Sequence, residues 1–309
     1  MATELATEKG EVINALISHH RARDPDRGNG MVIVGHSYIS DEGKRSKNQL
    51  GIHRDELIPG LRKLAKAIRD EGAVAIIQLN HARAKAPPEI IGKRPVGPSS
   101  VPVPGGEVPR ELSVAEIEEM IKKFVEASRR AMEAGFDGVE MHGAHDFLLS
   151  QFLSPLTNVR ADEYGGKLEN RMRLHLRIVS SIRKEVKGLL LFRLGVTDHM
   201  ERGLTVDEGV KVAMSLEKSG VDIINVSGGL CGSRPPWIIG EGYFLGLSES
   251  VRKRVKVPVI GVGGIKSPLF ADKTIREGKV DLIAVGRAFL TDPDWALRAI
   301  ELLGKSGHG

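Results

Sequence analysis

The stretch of sequence that decides the fold runs from residue 189 to residue 229 and reads LLLFRLGVTDHMERGLTVDEGVKVAMSLEKSGVDIINVSGG. Two nearly continuous apolar runs, at 189–196 and 222–228, enclose a segment with helical periodicity at 205–219. Such runs are typical of parallel strands that are buried on both faces. The capping-box pattern Thr205-Val-Asp-Glu208 predicts where the helix begins. The stretch therefore predicts one strand–helix–strand unit of an α/β fold.

The same alternation extends over the rest of the chain. The predicted strands lie at 31–39, 73–80, 138–144, 189–196, 222–228, 258–264 and 282–287. The predicted helices lie at 11–23, 59–71, 113–134, 169–186, 205–219, 246–255, 267–277 and 292–303. Eight helices and seven strands favour a closed TIM (β/α)8 barrel over an open sheet, and we expect residues 1–309 to form a single barrel domain.

The count of strands is one short of a complete barrel. The first strand should precede the helix at 11–23, so the chain begins where that strand would end. We therefore expect either that an upstream segment of the protein is absent from this chain or that the barrel closes in another way.

The composition excludes several classes of protein. With 309 residues, of which 41% are hydrophobic, the chain has enough apolar material for a large core. No apolar run approaches the roughly 18–20 residues of a membrane span, and the amino terminus lacks the segments of a secretory signal. Cys231 is the only cysteine, which excludes an intrachain disulfide and an iron–sulfur cluster ligated by this chain alone. We therefore expect a cytoplasmic protein with no membrane partner.

The net charge of +5 does not by itself indicate a nucleic-acid partner. Acidic residues are interleaved with the basic ones nearly everywhere, and aromatic residues make up only 4% of the chain, which is too few for an obvious base-stacking surface. We expect no nucleic-acid partner and instead a small-molecule substrate, because scattered arginines suit a small anionic ligand.

Polar residues stand at the carboxyl ends of most predicted strands, where barrel enzymes carry out their chemistry. They are His36, Gln78, Asn80, His81, His142, His145, Arg193 and Ser227. Arg193 ends an otherwise apolar run, so it needs an anionic partner, either a carboxylate such as Asp198 or the edge of an anionic cofactor. The strand ends therefore predict one site at one rim of the sheet.

Glycines follow the last two predicted strands, in the segments Ile260-Gly-Val-Gly-Gly-Ile265 and Val285-Gly-Arg287. Glycine allows backbone N–H groups to approach a phosphate, and an arginine can pair with it. Tight turns between strands and helices would also need glycine. Because a phosphate site recurs at these two strands of barrel enzymes, we predict that Gly263, Gly264, Gly286 and Arg287 bind phosphate.

The spacing of His142 and His145 leaves three interpretations open. The two side chains could ligate zinc, although the sequence offers no evident third ligand, and we predict no metal site. They could be packing or capping residues. They could also direct two N–H groups at one substrate oxygen, as oxyanion-hole donors do. We favour the donor pair, which makes both histidines candidate catalytic residues.

The segment at 153–171, LSPLTNVRADEYGGKLENR, closely resembles the signature of the old yellow enzyme family. Related strings occur at 48–52 (NQLGI), 55–60 (DELIPG) and 77–81 (IQLNH). The family comprises FMN-dependent ene-reductases and NAD(P)H:flavin oxidoreductases, and the chain is similar to its short, barrel-only members. The resemblance implies FMN as cofactor, NADH or NADPH as co-substrate, an activated alkene or another electron acceptor, and a homo-oligomer.

The resemblance also implies roles for the strand-end residues. Gln78 would bind the pyrimidine edge of the flavin, and Arg193 would lie near its N1 and C2 carbonyl region. His36 would line the flavin, while His142 and His145 would hold the substrate carbonyl or the nicotinamide. Gly263, Gly264, Gly286 and Arg287 would bind the FMN phosphate.

The sequence departs from the family pattern at three places near the predicted site, one of which is Asp146, in place of a usual glycine between His145 and Phe147. Phe147 occupies the position of the usual tyrosine proton donor, two residues after the second histidine. The string His81-Ala-Arg-Ala84 replaces the usual His-Ala-Gly-Arg. Together with the lacking strand, these departures motivate an alternative, a flavin- or ligand-binding barrel with little or no turnover. A third interpretation is a non-redox phosphosugar enzyme of the same fold.

Overall fold

The computed structural model describes residues 2–21, 28–82, 85–102, 107–237 and 239–306. Its main feature is a seven-stranded sheet in which all neighbouring strands pair in parallel. In spatial order, the strands are β1 (Met31–Tyr38), β2 (Val74–Asn80), β5 (Gly138–Gly143), β6 (Leu189–Gly195), β7 (Ile223–Ser227), β8 (Val259–Gly261) and β9 (Leu282–Ile283). Each of the seven predicted strands has its counterpart in this sheet.

Helices connect successive strands of the sheet, as parallel pairing requires, and further helices precede the first strand or follow the last. They are α1 (Asn14–Arg21), α2 (Ile58–Arg69), α3 (Pro88–Ile91), α4 (Val114–Glu133), α5 (Leu148–Leu153), α6 (Leu168–Arg171), α7 (Arg173–Glu185), α8 (Val206–Lys218), α9 (Leu245–Arg252), α10 (Pro268–Arg276), α11 (Ala288–Thr291) and α12 (Trp295–Ser306). Two further strands, β3 (Val96–Gly97) and β4 (Arg110–Glu111), form a small parallel sheet of their own.

The α/β class and the parallel sheet are confirmed. The sheet order runs from β1 at one edge to β9 at the other, and no eighth strand joins them in the part of the chain that the structure describes. The closed eight-stranded barrel, the lacking first strand and the single domain over 1–309 stay predictions. The last two residues of the helix predicted at 11–23 lie outside the described residues.

The capping boxes predicted from sequence are confirmed for α4 and α8. The Ser113 hydroxyl accepts the N–H of Glu116 at 3.2 Å, while the Glu116 carboxylate accepts the N–H of Ser113 at 2.9 Å. Thr205 and Glu208 make the same reciprocal pair at 3.3 and 3.1 Å. Each pair satisfies two backbone donors that a helix start leaves open, which contributes about 1 kcal/mol.

The two faces of the main sheet have different surroundings because side chains alternate along a strand. One face packs on the helices and forms the large core, to which β2 contributes Ala75, Ile77 and Leu79. The opposite, inward face forms a smaller apolar cluster from Ile76, Leu191, Ile223, Phe244, Ile260 and Val262. Each such side chain contributes roughly 1.5–3 kcal/mol when it is fully buried.

A polar layer lies on this inward face, one step closer to the carboxyl ends of the strands. Gln78 and Arg193 each follow, by two residues, a member of the inward apolar cluster, and therefore share its face. The strand register places Glu140 opposite Gln78, and Asn225 opposite Arg193. The sheet thus presents an apolar floor with charged and amide side chains directly above it.

His175 makes the stability of the helical layer outside the sheet depend on pH. It is fully buried on α7, with Nε2 2.8 Å from the carbonyl oxygen of Leu149, and burial lowers its pKa to about 4. The unfolded chain, with a histidine pKa near 6.5, then binds more protons below that pH. The stability due to neutral His175 is therefore present above pH 6.5 and is lost as the pH falls toward 4.

We predict that His175→Leu reduces the change in unfolding free energy between pH 7 and pH 5 by about 2 kcal/mol relative to the wild type. Urea unfolding at several pH values measures this difference. His199→Asn is the matched control because it replaces a histidine whose side chain is exposed. A wild-type pH dependence of stability in the leucine variant would contradict the attribution of this dependence to His175.

Candidate active site

A bulge in β1 positions His36. Between Val34 and Ser37 the strand advances three residues while its partner β2 advances only two, from Ile77 to Leu79. Such a bulge redirects the side chains of the extra residues. The Gln49 amide nitrogen contacts His36 Nδ1 at 2.8 Å and donates to the His36 carbonyl at 3.0 Å. His36 Nδ1 is therefore the acceptor, which leaves the ring proton on Nε2.

Three histidines and one phenylalanine form a compact aromatic cluster at the ends of β1 and β5. The ring centroid of His142 lies 5.0 Å from that of His145, 4.8 Å from that of Phe147 and 6.1 Å from that of His36. The rings of His36 and Phe147 are 5.2 Å apart. No set of three histidine, cysteine or acidic side chains that could hold a metal ion occurs among the described residues.

A backbone N–H fixes which nitrogen of His142 carries the proton, and a hydroxyl contacts the ring of His145. The N–H of Ala144 points to His142 Nδ1 at 3.3 Å, so His142 carries its proton on Nε2. Arg193 Nη2 donates to the Ser227 hydroxyl oxygen at 3.4 Å, and this hydroxyl lies 2.7 Å from His145 Nε2. The hydroxyl can then donate to His145 Nε2, which leaves the proton of His145 on Nδ1.

Both of these histidines are held neutral. Burial holds the pKa of His142 well below its usual value, with His145 and Arg193 adding to the effect. Burial does the same for the pKa of His145, and the charge of Arg193 is the next largest cause. A neutral imidazole presents one N–H donor, so the pair can donate to one substrate oxygen. The rings also pack on one another, so the geometry is compatible with both the packing interpretation and the donor interpretation.

His145 and Asp146 both adopt the left-handed backbone conformation, with φ of 58° and 62°. Their surroundings hold them there. The N–H of His145 donates to the Gly228 carbonyl at 3.1 Å, and the Gln151 amide donates to the Asp146 carbonyl at 2.6 Å. Lys85 Nζ lies 3.3 Å from the Asp146 carboxylate and 3.0 Å from the His145 carbonyl. The loop that carries the second histidine is thus braced from three sides.

Arg193 is half-buried on the inward face, and its Nε has no hydrogen-bond partner among the described residues. The interpretation that Asp198 pairs with it is wrong, because Asp198 accepts the N–H groups of Leu230 and Leu204 at 2.8 and 2.7 Å. Burial lowers the pKa of Arg193, while the charge of Glu140 opposes that shift. A guanidinium with an unmet buried donor suits an additional acceptor from a ligand.

Glu140 is a central member of the polar layer that the sequence analysis missed. It is fully buried, with Oε2 2.5 Å from the amide nitrogen of Gln78 and Oε1 2.7 Å from that of Asn225. Burial raises its pKa, and Arg193 and the two amides act in the opposite direction. A glutamate inside an apolar strand, as in Gly138-Val-Glu-Met-His142, was the available signal, because carboxylates are almost never buried without a partner.

The glycines after β8 stand where a side chain would collide with neighbouring atoms. Gly263 and Gly264 have φ of 134° and 69°. A Cβ at Gly264 would lie 2.9 Å from the Tyr243 ring and 3.4 Å from Arg287 Nη2. Arg287 is exposed and donates to the Tyr243 hydroxyl at 2.6 Å. Gly264, Arg287 and Tyr243 therefore form one cluster. Tyr243 is the member of this cluster that the sequence analysis missed.

Two groups of predicted site residues emerge from these contacts. His36, Gln78, His142, His145 and Arg193 belong to one connected network that runs through Glu140, Ser227 and the contacts between the aromatic rings. Gly263, Gly264 and Arg287 belong to the second, and Gly286 adjoins Arg287 in an exposed position. Tyr243 links the groups, since it packs against the inward apolar cluster that lies under Arg193. Arg83 and Ala84 lie outside the described residues.

Comparison with known proteins identifies a family model and relatives to which the chain is similar. A model of the NADH:flavin oxidoreductase / NADH oxidase family matches residues 1–305. The chain is 42% identical to the NADH oxidase of Thermoanaerobacter brockii in an alignment of 311 positions that covers 97% of this chain and 48% of that protein. It is 38% identical to the NADPH dehydrogenase of Geobacillus sp. (strain WCH70) over 300 residues, covering 96% of this chain and 86% of the relative.

Solved structures show the same relationship. A 2-naphthoyl-CoA reductase in complex with 2-naphthoyl-CoA superposes with a TM-score of 0.91 and 31% identity, covering 96% of this chain and 48% of that one. An old yellow enzyme homologue from Zymomonas mobilis gives a TM-score of 0.84 and 26% identity, with 98% and 87% covered. The chain thus spans about half the length of the NADH oxidase and of the naphthoyl-CoA reductase.

The comparisons bear on the cofactor, the co-substrate and the activity that the sequence predicts. FMN as cofactor, NADH or NADPH as co-substrate and an NAD(P)H:flavin oxidoreductase are confirmed at the level of the family. Among the described residues, no helix has both the length and the apolar character needed to cross a membrane. The roles of the site residues, the homo-oligomer and the cytoplasmic location stay predictions.

The family model covers nearly the whole chain, and relatives that match almost all of it are themselves oxidoreductases of NADH or NADPH. The chain belongs to the NADH:flavin oxidoreductase / NADH oxidase family, which is the family of the old yellow enzymes.

Proposed function

We propose that this chain is an FMN-dependent oxidoreductase that takes hydride from NADH or NADPH and passes it to an activated alkene or another electron acceptor. The observation that carries the proposal is the buried Nε of Arg193, which has no partner among the described residues and lies on the inward face beside two neutral histidines. A family cofactor with an electron-rich carbonyl edge meets the need of that donor.

The residues present fit FMN. Gln78 and Arg193 would hold the polar edge of the ring, and His36 would line it. Gly263, Gly264, Gly286 and Arg287 would hold the phosphate, because the two glycines after β8 adopt the positive φ that favours glycine and the Arg287 guanidinium lies beside Gly264. When bound, FMN supplies the hydride-transfer chemistry that no side chain of the protein can provide.

The histidine pair supports recognition of a substrate carbonyl. With protons on His142 Nε2 and His145 Nδ1, both rings can donate to one oxygen on which negative charge develops during hydride addition. Because both rings are neutral, they would donate hydrogen bonds to that oxygen without adding a positive charge to the site. Arg193 provides the positive charge that favours an anionic ring beside it.

Addition of hydride to one carbon of an alkene requires a proton at the other. Phe147 packs directly against His36 and His142, yet its ring carries no exchangeable proton. Water or another group must therefore supply the proton. The same observation favours the second candidate function, a flavin- or ligand-binding protein of this fold with little turnover.

Of the predictions that follow from the proposed function, the first concerns flavin binding itself. Purified protein titrated with FMN should bind it in a one-to-one complex, and anaerobic NADH or NADPH should bleach the flavin absorbance. Cyclohexenone should then restore the oxidised spectrum. Absence of both binding and bleaching would overturn the proposal, while bleaching without reoxidation by any enone would support the second candidate.

The second prediction separates phosphate binding from backbone strain. Gly264 and Gly278 both have φ of 69°, but a Cβ at Gly264 would meet the Tyr243 ring at 2.9 Å, whereas at Gly278 the nearest atom is 4.0 Å away. Alanine at either position should cost about 1–2 kcal/mol of stability. Gly264→Ala alone should weaken FMN binding, by at least tenfold. Fluorescence titration with FMN and urea unfolding measure the two effects, and equal FMN affinities in the two variants would contradict the phosphate assignment.

The third prediction concerns the proton. Phe147→Tyr introduces an acidic hydroxyl into the histidine cluster, so it should raise the rate of alkene reduction by at least about tenfold. The rate of flavin reduction by NADPH should change much less, since that half-reaction needs no such donor. Stopped-flow measurement of both half-reactions in the same variant provides the internal control. Equal effects on both rates would show that position 147 does not face the acceptor.

A further inference from the structure

Glu140 has no role in the function proposed so far, although it is the fully buried carboxylate at the centre of the polar layer. Its two oxygens accept from different strands: Oε2 from Gln78 on β2, at 2.5 Å, and Oε1 from Asn225 on β7, at 2.7 Å. Because both oxygens act as acceptors of N–H groups, these contacts suit the ionised form, which has no proton of its own to place.

A buried carboxylate needs a compensating positive charge, and Arg193 provides it. Arg193 lies on β6, the strand between those that carry Glu140 and Asn225, and directly opposite Asn225. The charges of Glu140 and Arg193 each favour the ionised form of the other. The net charge that Arg193 presents on the inward face therefore depends on Glu140.

Glu140 also determines how two amides are turned. Since the amide nitrogens of Gln78 and Asn225 both donate to its carboxylate, their carbonyl oxygens must point away from it. The Asn225 carbonyl oxygen is buried and has no partner among the described residues. The carboxylate thus makes both amides present acceptors, which is the group that a ring N–H donor of a flavin requires.

We propose that Glu140 is a positioning residue of the flavin site, which orients the Gln78 and Asn225 amides and lowers the redox potential of bound FMN by offsetting the charge of Arg193. Two-electron reduction places negative charge on the flavin, so a nearby cation raises its potential and a nearby carboxylate lowers it. A lower potential makes the reduced cofactor a stronger donor to its acceptor. The inference rests on the proposed function, because it requires FMN beside Arg193.

The test compares variants of Glu140 in the protein reconstituted with FMN. Glu140→Gln removes the charge at nearly constant volume, so it should tighten binding of reduced relative to oxidised FMN at least tenfold, which is a rise of about 30 mV for a two-electron couple. Glu140→Asp keeps the charge but shortens the side chain, so the potential should stay close to that of the wild type while FMN binds less tightly. Equilibration with dyes of known potential measures the first quantity, and fluorescence titration measures the second.

Asp198→Asn is the matched control. It also removes a buried carboxylate, but one that is held by the backbone N–H groups of Leu204 and Leu230. Its potential should match that of the wild type.

A wild-type potential in an FMN-bound Glu140→Gln protein would overturn this inference and leave the flavin site itself intact. Failure of the wild type to bind FMN would instead overturn the proposed function. If the glutamine variant does not fold, Glu140→Asp decides: an unchanged potential with weaker FMN binding supports the inference, and a shifted potential or an unchanged FMN affinity contradicts it.

Discussion

The constraint on which the rest of the site depends is the burial of opposite charges on the inward face of the sheet. Glu140 is fully buried above an apolar floor that includes Ile76 and Leu191, so water cannot stabilise it from below. Leaving such a buried carboxylate without its hydrogen-bond donors costs more than about 1–3 kcal/mol. Gln78, Asn225 and Arg193 therefore act as a unit with Glu140, and the polar layer has little freedom to rearrange.

Strand register connects this constraint to the fold. Side chains of β2 alternate between the helical core, as Ile77 and Leu79 do, and the inward face, as Ile76 and Gln78 do. A slip of one residue would exchange the two sets and would bury Gln78 against helices. The packing that stabilises the outer layer thus also fixes the positions of the site residues. Among the described strands, the register shifts in β1, at the bulge between Val34 and Ser37.

The sequence predicts the elements well because buried parallel strands leave a local signal. All seven strands of the main sheet and both capping boxes are found where the apolar runs and the Ser113 and Thr205 patterns place them. Helix α5 was missed because all six of its residues are buried, which leaves no amphipathic periodicity to detect. Strand β9 is shorter than the predicted run at 282–287.

Partners of the site residues were harder to predict than the residues themselves. His142 and Arg193 stand at strand ends, which local sequence reveals, but Glu140 contacts residues 62 and 85 positions away in the chain. Such contacts depend on register between strands, and a single sequence contains no direct record of it. For the same reason Asp198, which is near Arg193 in sequence, was an incorrect candidate partner, and Tyr243 gave no signal of its contact with Arg287.

The left-handed backbone at His145 has a consequence for how this position can vary. Apart from glycine, asparagine, aspartate and histidine are the residues that adopt φ near 58° most readily. Of these, only histidine and asparagine have a side-chain N–H when uncharged. The backbone at position 145 therefore limits which residues can replace histidine, and asparagine is the candidate that suits the chain path and also carries an uncharged side-chain N–H.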